Sequence, residues 1–150
     1  MKIIHGFLLT YILVSNVVAI ADEAAEIVVY RSPTCSCCEK WLEHLQQNHF
    51  VIKDIVTNNI DAIKTKHGVT PELASCHTAL IGGYVVEGHV PAGDIRALLK
   101  TKPEMTGIAV PGMPVGTPGM EMGERKDAYD VVSFDKQGHT RLFSSHKDTD

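Results

Sequence analysis

Three of the four cysteines in this 150-residue chain fall within four positions, Cys35-Ser36-Cys37-Cys38, and the fourth, Cys76, is followed directly by His77. Cys35 and Cys38 form a CxxC pair one helical turn apart. A helix starting beside them offers unpaired backbone N–H groups and a positive dipole end. Both favour thiolate over thiol, the form that attacks disulfides and binds soft metals. Only two of three clustered sulfurs can close a local disulfide, so the third is left for a distant partner or a metal. Four cysteines allow three pairings, for example Cys35 with Cys38 and Cys37 with Cys76, and spacing does not choose among them. A closed zinc site also suits these ligand types, although neither paired-knuckle spacing is present.

A second group of soft donors lies further on. Pro111-Gly112-Met113 and Pro118-Gly119-Met120 repeat the same tripeptide seven residues apart, in a segment too rich in Gly and Pro for a helix or a central strand. Thioethers are neutral and suit Cu(I), whereas zinc rarely uses them. The plainer alternative is that Met113 and Met120 anchor a loop onto the core. His77 is a candidate ligand because it adjoins Cys76, and His89 because it ends a predicted hairpin just before Val90-Pro91. His44 could share a helix face with Cys37 but reads as a solvated position. His49, His67, His139 and His146 carry no clustering signal, and Trp41 belongs to an apolar core stripe.

The elements that must position these groups follow from periodicity. Ile27 to Tyr30 is a short β-branched strand broken by Ser32-Pro33-Thr34. A helix from the cysteines to about Gln47 places Cys38, Trp41, Leu42 and Leu45 on one face. Val51 to Val56 reads as a second strand. Asn58 or Asn59 caps a helix through about Lys66 that ends at His67-Gly68. Thr78 to Ile81 and Tyr84 to Val86 flank Gly82-Gly83 as a two-residue hairpin, and Asp94 to Leu99 continues as a third helix. This order predicts an α/β fold, thioredoxin-like, with a mixed four-stranded sheet and flanking helices. The expected order brings Ser75-Cys76-His77 opposite the first helix's N-terminus, so distant sulfurs meet. Beyond it come a loop from Pro103 to about Asp127, a second hairpin (Tyr129 to Phe134 and Thr140 to Phe143) around Gln137-Gly138, and a frayed tail from Ser144.

Composition narrows the classes. With 44% hydrophobic and 21% charged residues the chain is an ordinary globular one, and 14 Lys and Arg against 18 Asp and Glu give −4 with no basic block for nucleic acid. Residues 1–21 read as a signal peptide: Met1-Lys2, an apolar stretch to Ile20, and small residues in Ala19-Ile20-Ala21. Cleavage there removes one base and no acid, taking 14 bases to 13 and the charge to −5. Residues 22–150 are then a single exported domain with no remaining membrane anchor, large enough to fold without disulfides.

Four blocks in order resemble the CopG-type family of exported copper-resistance proteins, long described as a domain of unknown function. They are Cys35 to Trp41, Ser75 to Ala79, Gly83 to Ala92, and Ala109 to Glu121 with its two Pro-Gly-Met turns. The resemblance implies a thioredoxin-like fold, periplasmic location, and copper held by Cys35, Cys37, Cys38 and Cys76, with a role in interconverting Cu(I) and Cu(II). His77, His89, Met113 and Met120 fall in the same blocks and are added as inferred ligands. Several copper ions per chain, and other periplasmic copper-handling proteins as partners, are the matching expectations. No Trp precedes Cys35 and no Pro separates the CxxC pair, unlike ordinary thioredoxins. A thiol-disulfide oxidoreductase using Cys35 and Cys38, and a disulfide-bonded interaction domain, are the alternatives.

Overall fold

The computed structural model describes residues 26–147. The expected signal segment, residues 1–21, and the last three residues lie outside that range. In chain order the elements are β1 (Glu26–Arg31), α1 (Ser36–Gln47), β2 (Val51–Val56), α2 (Ile60–Lys66), β3 (His77–Ile81), β4 (Tyr84–Glu87), α3 (Ala92–Thr101), β5 (Gly107–Ala109), β6 (Tyr129–Phe134) and β7 (Thr140–His146).

All strands join one mixed sheet in the order β2-β1-β3-β4-β5-β6-β7. The strand–helix–strand unit β1-α1-β2 is parallel, with Glu26 opposite Val51 and Arg31 opposite Val56. Strand β3 then runs antiparallel to β1, placing His77 opposite Arg31. The β3-β4 hairpin closes with Ile81 opposite Tyr84. Gly82 and Gly83 at its tip both have positive φ (56° and 86°), the backbone a two-residue hairpin turn with native strand twist demands.

The four-stranded sheet of the sequence reading is thus corrected to seven strands. The missing link is β5, which pairs parallel to β4 and antiparallel to β6, and so joins the last hairpin to the sheet. Three residues are too few to display alternation, and all three are buried. Gly107 opens β5 because a Cβ there would overlap the backbone carbonyl of Val85 on the neighbouring strand. The expected frayed tail is also corrected: Ser144 to His146 continue β7, held where Ser144 Oγ donates to Asp94 Oδ1 (2.6 Å) and His146 Nε2 meets Asp94 Oδ2 (2.8 Å).

The principal core lies between the sheet and helices α1 and α3, with Ile27, Val29, Trp41, Leu45, Val86, Ile95 and Leu98 inaccessible to solvent. Helix α1 contributes the face its spacing predicts, Cys38, Trp41, Leu42 and Leu45. Burying a large apolar side chain of this kind is worth about 1.5–3 kcal/mol, so α1 is fixed against the sheet by its own stripe, and the cysteines at its first turn are fixed with it. Gly107→Ala should destabilise the fold by about 1–3 kcal/mol through overpacking, lowering the urea midpoint. An unchanged midpoint would show that β5 is not held this closely.

Candidate metal centre

The first turn of α1 and the start of β3 face each other across the β1-β3 edge. Arg31, at the end of β1, anchors the intervening loop. Its guanidinium binds Asp54 of β2 through Nε (3.0 Å) and Nη2 (2.8 Å) and approaches Glu39 of α1 at 3.4 Å. Hydrogen bonding to Asp54 raises the Arg31 pKa above its ordinary value. Cys35 is the residue preceding α1, and its N–H donates to Ser32 O (3.2 Å).

Cys35 and Cys38 are joined by a disulfide, while Cys37 and Cys76 are free thiols. One of the open pairings is therefore present and the second, between Cys37 and Cys76, is not. Cys37 Sγ lies 3.5 Å from Cys35 Sγ and 4.0 Å from Cys76 Sγ, so all four sulfurs meet although Cys37 and Cys76 are 39 positions apart in sequence. Cys76 Sγ is also 3.2 Å from His77 Nδ1 and 3.0 Å from His89 Nε2. Two donor groups thus share one sulfur: four cysteines on one side, and Cys76, His77 and His89 on the other.

The histidines are set for this. His89 Nδ1 lies 2.7 Å from Pro118 O. A carbonyl only accepts, so Nδ1 carries the proton and Nε2 turns its lone pair toward Cys76. Burial lowers the His89 pKa. His77 is fully buried and held well below the usual range, first by burial and then by His89 and Lys64. Its ring lies 4.2 Å from that of Trp41 and 5.0 Å from that of His89. Its Nε2 has no hydrogen-bond partner among the described residues. An unpaired buried polar atom costs about 1–3 kcal/mol, a cost that apolar packing against Trp41 would not incur. Burial, and then the neighbouring Cys37, push the Cys76 thiol up to about 12. The pocket therefore holds neutral imidazoles and a reluctant thiol, and a bound cation would reverse the thiol's preference by removing its proton outright.

The Pro-Gly-Met segment closes over this centre by two backbone contacts. Ser75 Oγ donates to Gly112 O, and Gly112 N donates to Ala74 O (3.3 Å), docking the first turn beside Cys76. Gly119, with φ +86°, lies so near α1 that a Cβ would sit 2.7 Å from Trp41 N and 3.0 Å from Cys37 O. Met120, next in sequence, is half-buried, whereas Met113 is 53% exposed. The structure thus gathers Cys35, Cys37, Cys38, Cys76, His77 and His89, and leaves Met113 at the surface.

Several supporting residues escaped the sequence reading. Glu87, fully buried at the end of β4, pairs with Lys64 of α2 and accepts from Thr78 Oγ1 (2.7 Å) and from Ser75 N–H (2.7 Å). It thereby fixes the backbone one residue before Cys76. Trp41 does more than fill the core: its Nε1 donates to Val90 O (2.9 Å) beside His89. The solvated reading of His44 is corrected, because its Nε2 accepts the Ala92 N–H at the start of α3 (3.1 Å) and burial lowers its pKa.

A mixed α/β sheet carrying a thiol and imidazole cluster at a helix N-terminus defines a class of candidate metal-binding domains. The family model described as "Protein of unknown function, DUF411" matches residues 73–120. Two solved structures are similar: "Copper resistance protein copG", form 2, is 44% identical with TM-score 0.79, covering 83% of this chain and 99% of that one. Form 1 gives the same identity and TM-score, covering 84% and 100%. No curated protein matches. The chain belongs to the family of copper resistance protein CopG.

Glu87→Ala, which strands the Lys64 ammonium, should cost about 3–5 kcal/mol, and Lys64→Met combined with Glu87→Leu should recover most of it; urea unfolding of the three chains checks this. In a Cys37→Ser chain, Cys76 is the one free thiol among the described residues. Its raised pKa predicts that iodoacetamide labelling is slow at neutral pH and keeps rising well beyond pH 9, since only the thiolate reacts. A labelling rate that levels off near pH 8 would contradict the burial described here.

Proposed function

We propose that the protein is a periplasmic copper-binding protein of copper resistance, exported by its N-terminal segment, and that Cys35, Cys37, Cys38, Cys76, His77 and His89 hold the metal. The observation that carries this reading is the convergence of two donor groups on Cys76. Sulfur donors select soft Cu(I), while imidazole also suits Cu(II). A shell with both lets copper change oxidation state without leaving, and bridging thiolates allow more than one ion per chain. The likeness to a protein titled for copper resistance supports the choice of metal.

The order β2-β1-β3-β4, with α1 starting at the CxxC pair, supports a thioredoxin-like core extended by β5 to β7. Met120, next to Gly119, which packs closely on α1, serves as an additional thioether ligand. Met113, exposed one residue beyond the Ser75–Gly112 contact, receives or releases Cu(I) in exchange with another copper-handling protein.

The residues here have separate tasks. His89 presents Nε2 because Pro118 holds its other nitrogen, Glu87 fixes the Cys76 turn, and the loop from Pro111 to Met120 limits access by water. Fully reduced protein should bind more than one Cu(I) per chain in an anaerobic competition titration, with protons released as thiols deprotonate. Cys76→Ser should weaken binding by at least about a hundredfold, judged against the 10- to 100-fold cost of losing a mere supporting residue. Stoichiometric zinc uptake with no preference for copper would refute the reading.

A further inference from the structure

Helix α3 begins without a cap of its own. Its N-cap residue is Pro91, which makes no side-chain cap hydrogen bond, so the first N–H groups of the helix need partners from elsewhere. Ala92 finds one on α1: its N–H donates to His44 Nε2 (3.1 Å), 48 positions away in sequence. A backbone N–H only donates, so Nε2 carries no proton while this bond exists. One turn earlier on the same helix, Trp41 Nε1 donates to Val90 O (2.9 Å). Two side chains of one α1 face therefore grip the chain on both sides of Pro91. The gripped segment starts directly after His89, whose Nε2 lies 3.0 Å from Cys76 Sγ.

We propose that His44 is a proton-sensitive clamp that positions His89: neutral, it holds the start of α3 against α1, and protonated, it releases that segment and loosens His89 from Cys76. The proposal rests on the copper reading above and adds a control by acid over one ligand of that site. Protonation acts twice. An imidazolium has no lone pair to accept the Ala92 N–H, and it sets a positive charge against the positive end of the α3 dipole. The charged groups around His44 are Glu121 of the closing loop, which favours the proton, and Arg96 of α3, which opposes it. Asp94, in the first turn of α3, is taken up by Ser144 and His146 of β7, and His146 stacks on Tyr129 of β6. Burial outweighs Glu121 and lowers the His44 pKa, so the clamp is closed at neutral pH. Its contribution to stability is complete above the ordinary histidine value of 6.5 and is lost as the pH falls through the lowered one. His44 acts through Ala92 and Pro91 rather than on copper, and so is a positioning residue.

The test follows metal-free protein by NMR between about pH 8 and pH 4, a range that spans histidine titration, reading the His44 ring, the backbone amides of His89 and Val90, and hydrogen exchange at Ala92. In wild type, protection of the Ala92 N–H, corrected for intrinsic exchange, should fall about fivefold as His44 takes its proton, in line with the loss of one hydrogen bond. The His89 and Val90 amides should shift with the same midpoint. His44→Gln offers a side-chain carbonyl that accepts at every pH, so Ala92 should stay protected and the shared midpoint should vanish. His44→Leu, with no acceptor, should show the released state throughout. In anaerobic titrations of the fully reduced chains, copper affinity should fall more steeply with acid in wild type than in His44→Gln. Ala92 protection indifferent to the His44 proton, or equal acid slopes for wild type and His44→Gln, would overturn the proposal. Copper binding by no chain at any pH would instead refute the copper reading, and the Ala92 and His89 signals would still decide whether the clamp exists.

Discussion

Glu87 has no accessible surface, and its carboxylate is met by the Lys64 ammonium, the Thr78 hydroxyl and the Ser75 backbone N–H. A charge taken out of water is tolerable only when its partners are well placed, and removing one of them is costly. The geometry of the Ser75-Cys76-His77 segment is therefore set by an electrostatic requirement that lies beneath it. Helix α2, strand β3 and strand β4 each contribute to that pair, so the sheet cannot shift locally without unpairing a buried ion. Cys76 inherits this rigidity, and the site's other donors are arranged around it.

The remaining donors are brought to Cys76 by weaker and more varied means. Apolar burial of Trp41 and Leu45 seats α1 and presents its first-turn sulfurs. Backbone carbonyls of the closing loop and of the segment before α3 orient His89 and Trp41. Glycine makes the closest approaches possible: at Gly119 a side chain would strike α1, and at Gly88 (φ +74°) it would strike Val110 O and Ser75. The result is a pocket that favours neutral groups when empty of cations, with the Cys76 thiol pushed up to about 12 and both imidazoles pushed down. A soft cation entering such a pocket would displace protons, so its affinity would fall in acid.

Much of this was legible in the sequence. The i, i+3, i+4, i+7 spacing of Cys38, Trp41, Leu42 and Leu45 gave α1 and its buried face, and Gly82-Gly83 gave the hairpin at its observed register. From those two elements came the meeting of Cys76 with the α1 cysteines. Strand β5 was hidden because three buried residues have no period to detect. Lys64 and Glu87 were hidden for a different reason: a charged residue in an amphipathic pattern looks solvated whether it faces water or a buried partner. His44 misled in the same way, since its role depends on the Ala92 N–H, 48 positions away. The choice among disulfide pairings, too, required distances that no spacing rule contains.

The central claim is that Cys76 is the shared atom of one copper-holding shell. The most direct test is crystallography of the copper-loaded protein with anomalous scattering recorded on either side of the copper absorption edge. The account predicts copper within bonding distance of Cys76 Sγ, with His89 Nε2 and Cys37 Sγ among its other neighbours. Ordered copper bound elsewhere on the chain, with Cys76 Sγ in contact only with protein atoms, would contradict it.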